Sequence, residues 1–176
     1  MTTLRTILDG LAQAIAADEA NAAASFDAQT TLVGVTEVDV TTGNHTFKVD
    51  EPEVLGGTDL AANPVQLVLA ALGACQAITY RVWAAKLGIE LESVEARVEG
   101  DVDLRGFFGL DEEIRPGFRA IRLFVTVDGP EPAARYEELV DAVNAHCPVL
   151  DIVGNPVPIT AEVTIAGQSP AQKLVA

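Results

Sequence analysis

The residues best suited to covalent chemistry in this 176-residue sequence are its two cysteines, Cys75 and Cys147. A thiolate is a nucleophile and a reductant: an oxidant converts it to a sulfenic acid, and a second thiol converts that to a disulfide. Free cysteines are equally at home as small buried hydrophobes, so the pair is either core packing or a redox couple. The redox alternative needs a cation or a hydrogen-bond donor beside the sulfur, because burial alone raises a thiol's pKa. His146 adjoins Cys147, and Arg81, Arg105, Arg115 and Arg119 are the cations able to reach a thiol, from the same helix as Cys75 or from a long loop.

Other chemistries lack their parts. Besides the cysteines, the candidate metal ligands are His45 and His146, and no Cys-x-x-Cys or His-x-x-x-His spacing occurs, so no metal is expected. Gly-x-Gly-x-x-Gly, Gly-Lys-Ser/Thr and Gly-x-Ser-x-Gly are all missing from the sequence. Neither a dinucleotide or nucleotide cofactor nor a serine hydrolase site is therefore expected. The acidic runs Asp111-Glu112-Glu113 and Glu137-Glu138 read as solvated faces.

The elements that must position the thiols follow from periodicity. Leu4, Ile7, Leu8, Leu11 and Ile15 predict an amphipathic helix from Thr2 to about Asn21. Alternation from Ala28 to Val49, broken at Thr42-Gly43-Asn44, predicts two antiparallel strands joined by a hairpin turn. Asn63-Pro64 opens a helix that is apolar on nearly every face, runs to Leu87, stops at Gly88 and carries Cys75; it is expected to be central and buried. Its Ala70, Ala71, Gly73 and Ala74 permit close approach of another element. Strands follow around Val94–Val98 and Ile121–Val127, separated by a loop from Arg105 to Arg119 that exposes two phenylalanines to a partner. A third helix opens at Pro130 and Pro132 and ends at His146 and Cys147, where Pro148 stops it. Ile159–Ile165 reads as a last strand, and 167–176 as a loose tail. The order is α+β with mainly antiparallel pairing.

At this length, with 49% hydrophobic and 21% charged residues, a single domain spanning 1–176 is expected. The net charge of -15 excludes a nucleic-acid partner and an anionic membrane surface. Arg5, Asp9 and Asp18 interrupt the apolar N-terminus, and the longest apolar run near the middle, Leu67–Cys75, is nine residues. That is about half of the roughly 18 needed to span a bilayer. A cytoplasmic protein with no membrane partner is expected.

The stretch Asn63-Pro64-Val65-Gln66-Leu67-Val68-Leu69-Ala70-Ala71-Leu72-Gly73-Ala74-Cys75, with Ala145-His146-Cys147-Pro148-Val149 far downstream, resembles the OsmC/Ohr family of osmotically inducible and organic hydroperoxide resistance proteins. Gly56-Gly57 before Asn-Pro, Glu99-Gly100-Asp101 and Pro116-Gly117-Phe118 extend the resemblance over roughly Thr30 to Ile165. It implies a mainly antiparallel sheet wrapped around the long central helix in an intertwined homodimer, with 1–25 as an added N-terminal helix. It further implies thiol peroxidation in oxidative-stress defence. Cys75 matches the peroxidatic cysteine that attacks a hydroperoxide, Cys147 the resolving cysteine, and a dithiol reductant resets them. Two positions depart from the organic-hydroperoxide branch. Its glutamate after Asn-Pro is Val65 here, and its hairpin arginine has no counterpart between Thr30 and Val49, where Lys48 is the one cation. Weak peroxidase activity is the expected consequence. The competing reading is a non-catalytic dimer that binds a small hydrophobic molecule in an interface pocket.

Overall fold

The computed structural model describes residues 3–165 and 171–175. The chain runs α1 (Leu4–Ala17), β1 (Gln29–Leu32), β2 (Val38–Thr42), β3 (His45–Val49), α2 (Pro64–Leu87), β4 (Ser93–Asp101), α3 (Leu104–Phe107), β5 (Ala120–Asp128), α4 (Ala133–His146), α5 (Pro148–Gly154), β6 (Ile159–Val163) and β7 (Ala171–Val175). β1-β2-β3, β4-β5 and β6-β7 form separate antiparallel sheets.

Local chemistry sets the ends of α2. The Asn63 side chain accepts the Gln66 N–H, the Gln66 side chain accepts the Asn63 N–H, and Pro64 occupies the first helical position. At the other end Gly88 takes a left-handed φ of 66° that terminates the helix. Leu72, Gln76, Tyr80 and Ala84 recur every fourth residue and form its buried stripe. Tyr80 and Ala84 join Ile89, Leu91, Leu139 and Val143 in the core, flanked by Trp83, Val94, Val125 and Tyr136. The small residue at Gly73 admits β4: a Cβ there would stand 3.2 Å from Val98 Cγ2.

The loop before α2 is organised by a buried carboxylate. Asp50 accepts hydrogen bonds from the Thr36 hydroxyl (2.5 Å), the Thr58 hydroxyl (2.7 Å) and the main-chain N–H groups of Glu51, Thr58 and Leu60. Those donors, Thr36 first, hold its carboxyl well below the usual carboxylate range. Gly57 is required beside it, because a Cβ would collide with the Glu51 carbonyl.

Several expectations change. The first helix stops at Ala17 because the Asp18 side chain caps a separate 3-10 turn over Glu19–Ala22. The segment 28–49 holds three strands, not two, and the turn falls at Gly43 with φ 53° as anticipated. The long loop contains the short helix α3, whose Asp103 cap accepts the Arg105 N–H. Pro148 ends α4 and also begins α5, since proline suits a first helical position. The last strand is the shorter Ile159–Val163, and the tail is not loose over Ala171–Val175, which pairs with it as β7. The rest of 167–176 lies outside the described residues. Most consequentially, α2 is not buried all round by its own chain: Val65, Val68 and Ile78 remain exposed. By length and composition it would pass as a membrane span, but its buried stripe packs within this fold.

Leu139 is 0% exposed and fastens α4 to α2. Leu139→Ala is expected to cost about 2–5 kcal/mol in urea denaturation. A loss below about 1 kcal/mol would show that α4 does not depend on this contact.

Candidate functional site

Leu139, Val143 and Cys147 lie at successive spacings of four, so Cys147, the residue after the last helical position, continues the buried stripe of α4 one turn beyond Val143. Cys75 stands midway along α2. The Cys147 thiol donates to the Cys75 sulfur across 3.5 Å. Both cysteines are free; Cys75 is half-buried and Cys147 is 2% exposed. A disulfide of about 2.05 Å therefore requires an approach of about 1.5 Å.

The two thiols differ in environment. Burial pushes the Cys147 thiol up, opposed by a hydrogen bond from the Leu150 N–H and reinforced by Cys75 beside it; the Thr79 hydroxyl pulls weakly downward. Cys147 is thus held as the neutral S–H donor and Cys75 as the acceptor. Thr79 lies 4.0 Å from the Cys75 sulfur and donates to the Cys75 carbonyl oxygen at 2.7 Å.

None of the five expected supporting residues bonds to either sulfur. His146 bonds through Nδ1 to the Ala142 carbonyl (2.8 Å) and lies against Trp83, ring centroids 4.2 Å apart, with Lys86 over the same indole. Arg81 is spent on the Leu91 and Glu92 carbonyls. Arg105 and Arg119 both pair with Asp103. Arg115 lines an open cavity of about 540 Å³ together with Val68, Leu72, Phe118, Ile121 and Leu150. Lys48, the hairpin cation, is paired with Glu37 and Asp39. The reason is common to most of them: in so acidic a chain, basic side chains find a carboxylate or a free carbonyl closer than a thiol. Thr79 and Leu150 were missed from the sequence, although Thr79 was legible as the fourth residue after Cys75 on one helix. Among the described residues no cluster of His, Cys, Asp and Glu could hold a metal ion.

Residues 57–162, which include both cysteines, match the family model for OsmC-like protein. Among solved structures, the chain resembles an OsmC-like protein from Mycoplasma pneumoniae, with TM-score 0.64 and 20% identity over 74% of this chain and 88% of that one. It also resembles an organic hydroperoxide resistance protein from Legionella pneumophila (TM-score 0.57, 25% identity, 74% of this chain and 89% of that one). A third is the organic hydroperoxide resistance protein from Elizabethkingia anophelis (TM-score 0.55, 22% identity, 73% and 87%). No curated protein matches the sequence. The fold is that of OsmC-like structures; α1 and the sheet β1-β2-β3 lie outside residues 57–162 of the family match.

Because Cys147 is raised by burial, its alkylation in Cys75→Ser should have a midpoint above the unperturbed value of about 8.5. The native thiol keeps its proton after the unfolded one has lost it, so its contribution to stability falls as pH rises from about 8.5 to the native pKa. Peptide mapping that places the midpoint below 8 would refute the assignment of Cys147 as the neutral thiol.

Proposed function

The chain belongs to the OsmC-like protein family, and from that premise we propose that Cys75 and Cys147 reduce an organic hydroperoxide by a two-cysteine cycle in peroxide defence. The observation that carries this reading is the 3.5 Å separation of a half-exposed sulfur and a buried one donating to it. The similarity to the Legionella and Elizabethkingia organic hydroperoxide resistance proteins supports it.

The cycle balances. The Cys75 thiolate attacks one peroxide oxygen, the S–O bond forms as the O–O bond breaks, and the alkoxide takes a proton to leave as an alcohol. Cys75 is then a sulfenic acid. The Cys147 sulfur attacks it, its proton joins the departing hydroxide as water, and a disulfide remains. A dithiol reductant restores both thiols and is itself oxidised to a disulfide. The Val65 and Lys48 departures remove the glutamate–arginine pair of the organic-hydroperoxide branch, so turnover is slow.

The working unit is a homodimer. β1-β2-β3 leaves most of its side chains exposed, Leu32 and Phe47 among them, and α2 leaves Val65, Val68 and Ile78 uncovered. A second copy is the partner that covers such surfaces. The second reading, a dimer that binds a small hydrophobic molecule, is favoured by the cavity of about 540 Å³ that Val68, Leu72, Ile121 and Leu150 line together with Arg115 and Arg119.

With cumene hydroperoxide, Cys147→Ser should accumulate a dimedone-reactive sulfenic acid on Cys75, whereas Cys75→Ser should accumulate none. Labelling of Cys147 in Cys75→Ser would reverse the roles. Unlabelled thiols in both, with binding of an apolar fluorophore, would favour the second reading. Sedimentation at micromolar concentration should give a dimer; a species of 18.5 kDa alone would contradict it.

A further inference from the structure

Among the described residues, the side chains hydrogen-bonded to the Cys75 sulfur are the Cys147 thiol at 3.5 Å and the Thr79 hydroxyl at 4.0 Å. Thr79 is 7% exposed and sits one turn after Cys75 on the same face of α2. Its hydroxyl donates to the Cys75 carbonyl at 2.7 Å. That carbonyl also receives the Thr79 main-chain N–H in the regular helical pattern. Turning the hydroxyl away therefore leaves no orphaned acceptor, and rotation about the Cβ–Oγ bond redirects its proton to the sulfur. β-branching keeps the oxygen on that face throughout.

We propose that Thr79 is a catalytic residue of the thiol site, its hydroxyl being the donor that holds the Cys75 thiolate where no arginine contacts the sulfur. The proposal deepens the peroxidase reading and rests on it for its purpose. A donor aimed at a charged sulfur favours the thiolate over the thiol. The proton leaves Cys75 for water, the electron pair stays on sulfur, and the Thr79 O–H swings from the carbonyl to that sulfur. The same pair then bonds to the peroxide oxygen.

Among the described residues, no charged side chain bonds to either sulfur. On α2, Arg81 bonds to the Leu91 and Glu92 carbonyls, and Lys86 lies over Trp83. Tyr80, on the same helix, is in the core. On α4, His146 bonds to Ala142; on α5, Asp151 accepts from Asn155. On β4, Ala96 and Val98 face Gly73 while Arg97 and Glu99 pair with each other, and Arg122 of β5 pairs with Glu99 and Asp101. In the long loop, Arg105 and Arg119 pair with Asp103, and Arg115 is exposed at the cavity.

The test reads thiolate without peroxide: reduced protein is alkylated with iodoacetamide over a range of pH, and Cys75 is quantified by peptide mapping. In Thr79→Val, alkylation of Cys75 at neutral pH should fall about tenfold and its pH profile move up by about one unit. Thr79→Ser should keep the wild-type profile. An unchanged profile in Thr79→Val, or one displaced as far in Thr79→Ser, overturns the proposal. If Thr79→Val does not fold, Thr79→Ala is read against Thr79→Ser in the same way. A displaced profile in a protein that leaves cumene hydroperoxide unreduced upholds Thr79 and overturns the peroxidase reading.

Discussion

The thiol site depends on α2 and α4 lying side by side through Tyr80 and Ala84 on one helix and Leu139 and Val143 on the other. Each fully buried leucine or valine stabilises that contact by about 1.5–3 kcal/mol, and the regular spacing of four that buries Leu139 and Val143 also aims Cys147 at α2. The apolar packing of the two helices brings the sulfurs to 3.5 Å, where the Cys147 thiol donates to Cys75. The junction of α4 and α5 at Cys147-Pro148 completes the arrangement, because it turns the chain and supplies the Leu150 N–H to the buried sulfur.

The second constraint is electrostatic. A chain of net charge -15 offers few cations, and those in the neighbourhood are committed to carboxylates, carbonyls or Trp83, with Arg115 left at the cavity wall. The site answers with neutral donors. Burial favours the protonated form of Cys147, which donates to Cys75, and Cys75 is the more accessible of the two sulfurs. Thr79 is the hydroxyl in contact with the same sulfur. Asymmetry of burial thus gives two residues of identical chemistry different environments.

The elements that were legible in the sequence are those whose signals are local. The Asn63-Pro64 start and Gly88 stop of α2, the alternation of β4 and β5 and the Gly43 turn all appear where spacing and caps put them. What was not legible depends on neighbours. The division of 28–49 into three strands turns on pairing between β1 and β2, and α5 follows from a proline that reads as a stop from one side and a start from the other. At the site, the two cysteines were legible, and they meet because two helix stripes coincide, which pattern alone does not show. The arginines were misjudged because reach along the chain says nothing of which carboxylate stands nearer: Asp103 captures both Arg105 and Arg119.

We propose that Cys75 and Cys147 act as one redox unit within a single chain. The direct measurement is a non-reducing peptide map of the protein after one equivalent of cumene hydroperoxide, with the alcohol quantified in parallel. One Cys75–Cys147 disulfide within the chain is expected, with one molecule of cumyl alcohol for each disulfide formed. Hydroperoxide left intact beside two free thiols, or a disulfide that joins two chains instead, would contradict it.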